Sequence, residues 1–357
     1  MKNKMLGLIM LGVIIGGAVA YQQVFRAGKV VVLKGFVGGE KTGFLEDEQV
    51  QKLLQKKYGI SIEATKAGSI EMINELQGKN FDFLWPSSQL PLELFKLNPQ
   101  NKLVKSDVIF NSPIVLYSWD LVTEALIKIK IVEKVQDTYY IVDFPKLIQL
   151  VVEGKKWADI GVNELYGKIL ITSTDPTKSN SGNMFAGLLA NILSQTGDVA
   201  NEQSLAPVLP KIKAIFTSLG FMETSSSNLF QAYLTKGIGD KPIIVGYENQ
   251  IVEFTLQYEK LWPNVKDKVR ILYPRPTVWS SHPLMILQDR AKTLIPALQD
   301  SDVQKLAWER HGFRTGLMGV QNDPKVLKIA GIPATITNVM PMPSPAVMEK
   351  IIAAVSK

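Results

Sequence analysis

The 357-residue chain reads as an α/β protein of two bodies, each a mainly parallel sheet flanked by helices, with two β segments crossing between them. Three observations predict this class. Strand-like and helix-like runs alternate in two successive series, as βαβ units do. Two long β runs, DVIFNSPIVLYSW from Asp107 and KVRILYPRPTVWSSHPLMIL from Lys268, are interrupted by proline, which favours an edge or a crossing between bodies. Strand ends are followed repeatedly by glycine and small hydroxyl residues, the composition of turns that open helices.

In the first series KVVVLKGF is a strand, 46–58 a helix, ISIEATKAG a strand, 70–78 a short helix and FDFLWPSS a strand ending in a turn. The second has a helix at 144–153, a strand at KILITST and a polar loop, TDPTKSNSGN. An amphipathic helix over 184–195 follows, with Met184, Phe185, Leu188, Leu189, Ile192 and Leu193 on one face. Further helices are expected at 211–219, 228–235, 289–299, 302–310 and 344–354, with a strand at PIIVGYENQ. The crossings near 112–119 and 272–287 make the first body discontinuous, 28–115 with 278–357, and the second an insertion, 116–277. Such a chain can hinge, and a ligand cleft belongs where the carboxyl ends of strands meet helix N-termini.

The composition, 46% hydrophobic and 20% charged, is that of an ordered globular protein. The net charge of +7 is spread along the chain without a basic block, which argues against nucleic acid and suits anionic ligands. With no cysteine there is no disulfide, thiolate metal site, cysteine nucleophile or lipidated N-terminal cysteine. No metal site or cofactor is expected. Only His282 and His311 supply imidazoles, and a structural role is expected for both. At the amino terminus MKNK precedes an uncharged run from Met5 to Tyr21, and Ala18-Val19-Ala20 has a signal-peptidase pattern. Residues 1–27 are therefore expected to be a signal peptide or an uncleaved membrane anchor. Either exports the body to the periplasmic or extracellular face.

VVVLKGFVGGEKTGF, from Val30, approximates the phosphate-binding G-x-x-x-x-G-K-[ST], with Gly35 first and Lys41-Thr42 last. Glu40, however, stands where a bare glycine must let phosphate approach, and its charge repels that ligand. A second near-match, GVNELYGK from Gly161, has one residue too many between its glycines. A strand-to-helix turn is the better reading of 38–41.

The candidate cleft residues are those that follow the strands. They are Gly38, Gly39, Glu40 and Lys41 after the first, Ser69 after the second, and Ser87 and Ser88 after the third. Ser112 lies at the first crossing, with Thr174, Asp175, Ser179, Asn180, Ser181 and Gly182 in the polar loop, and Tyr247 and Glu248 ending the later strand. Hydroxyls and N–H groups at helix starts donate to anions, and the helix dipole adds roughly 0.3–2 kcal/mol. Ser69, Ser88 and Ser181 could alternatively serve as helix N-caps. Glu40, Asp175 and Glu248 could pair with Lys41 or Lys178, or meet the cationic part of a zwitterion. Were Glu40 and Glu248 to face each other across the cleft, they could act as acid and base. No G-x-S-x-G or HExxH motif supports an enzyme, and no catalytic residue is expected.

WADIGVNELYGKILITSTDPTKSNSGNMFAGLLANIL resembles the second-domain signature of type II periplasmic solute-binding proteins of the molybdate- and sulfate-binding-like branch. FDFLWPSSQ, SPIVLYSW and AWERHGFRTG match further segments of that family. The resemblance implies the two-lobed type II periplasmic-binding-protein fold, and ligand contacts at Gly39, Ser69, Ser88, Ser181 and Tyr247. It also implies a small polar or anionic solute handed to an ABC permease or a sensor. An accessory protein anchored beside another membrane complex would keep the fold without transport. Glu40 departs from the small or hydroxyl residue usual in the family, and molybdate itself is not implied.

Overall fold

The computed structural model describes residues 30–74, 80–194, 197–317 and 322–356. The expected leader and the end of the helix expected at 70–78 lie outside the described residues. Among those described, no helix is long and apolar enough to cross a membrane.

The first sheet grows from β1 (Val31–Val37), β2 (Ile60–Lys66) and β3 (Phe83–Trp85), parallel in the order β2-β1-β3 with Val31 opposite Ile60 and Gly35 opposite Phe83. The helix Glu48–Tyr58 connects β1 to β2 because the sequence starts and stops it. Asp47 accepts hydrogen bonds from the Gln49 and Val50 N–H groups at 2.7 and 3.4 Å, and Gly59 ends it at φ 63°. Val50 and Leu54, one turn apart, are its buried positions.

Fifteen-residue β4 (Lys105–Trp119) belongs to two sheets. The second sheet adds β5 (Val132–Val135), β6 (Tyr139–Asp143), β7 (Ile243–Tyr247) and β8 (Val269–Arg275). The first is completed by β9 (Trp279–Ile286) and β10 (Arg314–Thr315). From Lys105 to Pro113, β4 pairs antiparallel with β9, and β10 pairs at Phe110 and Asn111. From Ile114 onward it pairs antiparallel with β7 and β8. The whole path runs β2-β1-β3-β9-β4-β8-β6-β5. Parallel ladders are confined to β2-β1-β3 and β6-β8; the long crossovers bring in antiparallel pairs. The expected interruption at Ser112-Pro113 is a change of sheet inside one continuous strand. There the two crossings are tied together, with Ile114 N–H donating to the Val278 carbonyl at 3.1 Å and Thr277 Oγ1 to the Ile114 carbonyl at 2.7 Å.

Apolar clusters cover both faces of each sheet. Two expectations need correction. KILITST forms no ladder: its contacts are two isolated bridges, Lys168 to Lys156 and Thr172 to Ile244, and the turn at 176–178 soon follows. The end of 278–357 does not belong with the first lobe. Val347, Met348 and Ile351 of the terminal helix Pro345–Val355 pack in one core with Phe185 and Phe216 of the second.

A buried ion pair joins the lobes beside the hinge. Arg314 on β10 donates through Nε and Nη2 to both Glu248 carboxylate oxygens, at 2.6 and 2.9 Å, with Nη2 also donating to the Pro333 carbonyl and Nη1 to that of Ala334. Tyr273 Oη donates to the same carboxylate at 2.8 Å. Removing one partner would leave a fully buried charge uncompensated. Arg314→Met is therefore expected to lower the unfolding free energy by about 3–5 kcal/mol, read from urea denaturation; an unchanged midpoint would contradict the role given to this pair.

Candidate functional site

The glycine turn at the end of β1 is shaped by two buried charges. Lys41, with no exposed surface, directs its ammonium to the Glu40 carboxylate, to Ser87 Oγ at 3.1 Å and to His282 Nδ1 at 3.0 Å, which matches its three N–H donors. Trp85 lies beneath, its ring centre 5.6 Å from Nζ. Ser87 Oγ–H donates in turn to Glu40. Burial would raise the Glu40 carboxyl, but the Lys41 ammonium and His282 hold it well below the usual carboxylate range. Burial pulls Lys41 down from its ordinary value while Glu40 opposes that shift. His282 is pushed down to about 4, by burial first and the neighbouring ammonium second, so the imidazole is neutral at pH 7. A neutral ring accepting at Nδ1 carries its proton on Nε2, which is buried without a partner. This cluster uses up the lysine that resembled a phosphate ligand. It also explains the glycine before it, since a Cβ at Gly38 would collide with Ser87 Oγ and the Glu40 carboxylate.

Above the cluster lies a cavity of about 390 Å³ walled by both lobes. From the first lobe come Gly38, Gly39, Glu40, Lys66, Ala67, Gly68, Ser69, Glu71 and Ser87. The second contributes Lys178, Ser179, Asn180, the Ser225 loop and Tyr247. Asn180 organises the seam: it accepts from Ser88 Oγ at 2.5 Å and donates to Tyr247 Oη at 2.9 Å and Ser280 Oγ at 3.4 Å. Lys66 reaches across to Ser227 Oγ at 2.9 Å and Ser225 Oγ at 3.3 Å. Gly68 lies so close to the Lys178 carbonyl that any Cβ there would collide with it. On the outer side His311 Nδ1 contacts Glu253 Oε2 at 2.6 Å, and its Nε2 lies 3.2 Å from Asp47.

Eight of the residues expected from sequence therefore line one cavity: Gly38, Gly39, Glu40, Ser69, Ser87, Ser179, Asn180 and Tyr247. The others stand elsewhere. Lys41 is beneath the floor, and Ser88 is one contact behind at Asn180. Ser181 bonds Thr174 Oγ1 at 2.8 Å and Ser179 Oγ at 3.2 Å, so Ser69 and Ser181 do not oppose one another across the cleft. Asp175 accepts from Thr177, Gly182 presses on the Thr174 carbonyl, and Ser112 is buried in β4. Glu248 is committed to Arg314, so the acid–base pairing of Glu40 with Glu248 is absent. None of the three serines considered as N-caps caps a helix through its hydroxyl. Ser69 Oγ accepts the Ser87 N–H, and the cap of the helix Ser226–Lys236 is Ser225. Lys66, Glu71, Lys178 and residues 224–228 escaped the sequence reading. The SSSN run carries the same hydroxyl-before-helix signal, but a helix precedes it where a strand was sought. Among the described residues, no three His, Cys, Asp or Glu side chains gather as metal ligands.

The depressed His282 value couples stability to pH. An unfolded imidazole protonates below about 6.5 while the folded one resists until about 4, so protons favour the unfolded chain and stability falls as pH drops across that window. The loss from this group is roughly 3 kcal/mol. His282→Asn, whose amide oxygen replaces Nδ1 as acceptor, is expected to remove that share of the pH 7-to-4 slope in urea denaturation. An identical slope would show that the imidazole is not held neutral.

No family model matches the chain, and no curated protein does. Solved structures do. Iron-bound HitA from Pseudomonas aeruginosa superposes with a TM-score of 0.57 at 14% identity, over 91% of this chain and 98% of that one. A periplasmic thiamin binding protein gives a TM-score of 0.57 at 10% identity over 91% and 96%. The sulfate-binding protein SubI from Mycobacterium tuberculosis H37Rv gives 0.54 at 14% over 83% and 88%. At these identities the likeness is one of architecture: the chain has the two-lobed fold of periplasmic binding proteins.

Proposed function

We propose that this protein is an exported solute-binding protein. It captures a small polar anion between its lobes and presents it to a membrane transporter, of the ABC permease type, or to a sensor. The observation that carries this reading is the charge of the interlobe cavity. Glu40 is neutralised by Lys41 beneath it, leaving Lys66 and Lys178 against Glu71 alone. Two second-lobe helices, Asn180–Leu193 and Ser226–Lys236, also begin at the cavity wall. Ser179 makes no side-chain cap, which leaves the first-turn N–H groups without that acceptor, and an anion could supply one. The sequence resemblance to the molybdate- and sulfate-binding-like branch favours the same class of ligand. Ligand contact with Ser69 and Ser87 on one side and Ser179, Asn180 and Tyr247 on the other couples binding to closure. In this reading the leader carries the protein across the membrane, by cleavage or as an anchor, and no catalytic step follows capture.

A thermal-shift screen of phosphate, sulfate and small carboxylates tests it. A ligand at a hundred times its Kd adds about 2.7 kcal/mol of stability. Lys178→Met is expected to weaken the best oxyanion roughly tenfold, about 1.4 kcal/mol, by calorimetry. Failure of every oxyanion to stabilise the protein would sink the anionic reading.

A further inference from the structure

The polar cavity has a neighbour. Gly39, Glu40 and Lys66 also form one wall of a second cavity, of about 560 Å³, that opens between the turn after β1 and the second-lobe helices Ser226–Lys236 and Asn249–Gln257. Its lining differs in kind. Phe254 stacks on Tyr258 with ring centres 5.1 Å apart and meets Phe230 edge-on at 6.0 Å. Tyr258 and Leu261 are 43% and 52% exposed, although large apolar side chains lining a concavity gain by being covered.

We infer that the two cavities are compartments of one site, and that the ligand is an organic anion carrying a flat apolar group. Its anionic head would lie in the polar compartment and its ring against Phe254 and Tyr258. This rests on the anion-binding reading above and narrows it, setting aside a bare inorganic oxyanion. Three features support it. The boundary between compartments is thin: Gly39 has no side chain, and Lys66 lies across it, so close that a Cβ at position 39 would meet Nζ at 3.2 Å. Lys66 is held there by the Ser225 and Ser227 hydroxyls, neutral partners that an anion can replace without breaking an ion pair. The far compartment also disfavours a second negative charge. Glu46 stands exposed on its rim with no partner among the described residues, and Glu253 is already bonded to His311 and Gln257.

Calorimetry on the full chain with matched probes tests this: inorganic phosphate against phenyl phosphate, and sulfate against phenyl sulfate. The phenyl member of the preferred pair is expected to bind at least tenfold tighter. Tyr258→Ala or Leu261→Ser should erase that preference, with the folded far-UV circular dichroism spectrum retained. If the inorganic ion binds as tightly as its phenyl ester, the two-compartment inference fails while anion capture stands. If no member of either pair binds, the two-compartment inference fails, and the carboxylates of the thermal-shift screen decide whether anion capture stands. A preference that survives both substitutions places the ring elsewhere and overturns the assignment. So does concentration-dependent self-association in sedimentation velocity that Leu261→Ser abolishes, because a second copy would then be what covers these side chains.

Discussion

Burying Lys41 and Glu40 together at the end of β1 is the constraint on which the cleft is built. Either charge alone in that position would be untenable, and the pair persists only because every N–H of the ammonium has an acceptor. Those acceptors come from three places in the fold: the glycine turn, the end of β3 at Ser87, and β9 at His282. The network therefore fixes the ends of β1 and β3 relative to the middle of β9 before any ligand arrives. It also makes the cavity floor electrically neutral although a carboxylate stands in it. The cations on the walls can then act on a guest without a competing anion below.

The same network shows how far one dimension carries. Periodicity and turn residues sufficed for β1, β2 and β3 and for the serines after them, because hydrophobic alternation and glycine signals are local. Glu40 was legible as a misfit in a phosphate loop. Its true partners were half legible, since Lys41 is adjacent, whereas His282, 241 residues beyond Lys41, reaches the site only through the antiparallel return of β9. Glu248 misled for the same reason. It follows a strand as a ligand contact should, but Arg314, 66 residues on, claims it from across the hinge. The 224–228 loop follows no strand: the second lobe also points a helix–helix connection at the cleft, and nothing local in the sequence distinguishes that connection from any other.

Polar bridges join the two lobes at the cavity. Ser88 to Asn180 and Asn249 to the Glu40 carbonyl are single hydrogen bonds, the latter at 3.5 Å, and Lys66 makes two to the serine pair. Each such bond is worth about 0.5–1.5 kcal/mol net, comparable with what one ligand contact supplies. A hinge closed by interactions of that size can be biased by a small guest, and water can replace them when the lobes part. The Arg314–Glu248 pair is different: it sits beside the crossovers, and in the proposed closing motion it can stay intact while the mouth widens.

Placement of strong and weak contacts thus follows the lever arm. Fully buried, multiply bonded charges stand at the floor and the hinge, where geometry must not change. The exposed Lys66 and Lys178 stand on opposite walls, where displacement is greatest and where exchanging one partner for another costs little. Lys66 already spans the gap to Ser225 and Ser227, so an anion entering there replaces a neutral partner with a charged one and draws the second lobe's helix start toward the same cation. Under the proposed function, closure and recognition draw on the same few atoms, and the identity of the guest is to be read from what surrounds Lys66 on both of its sides.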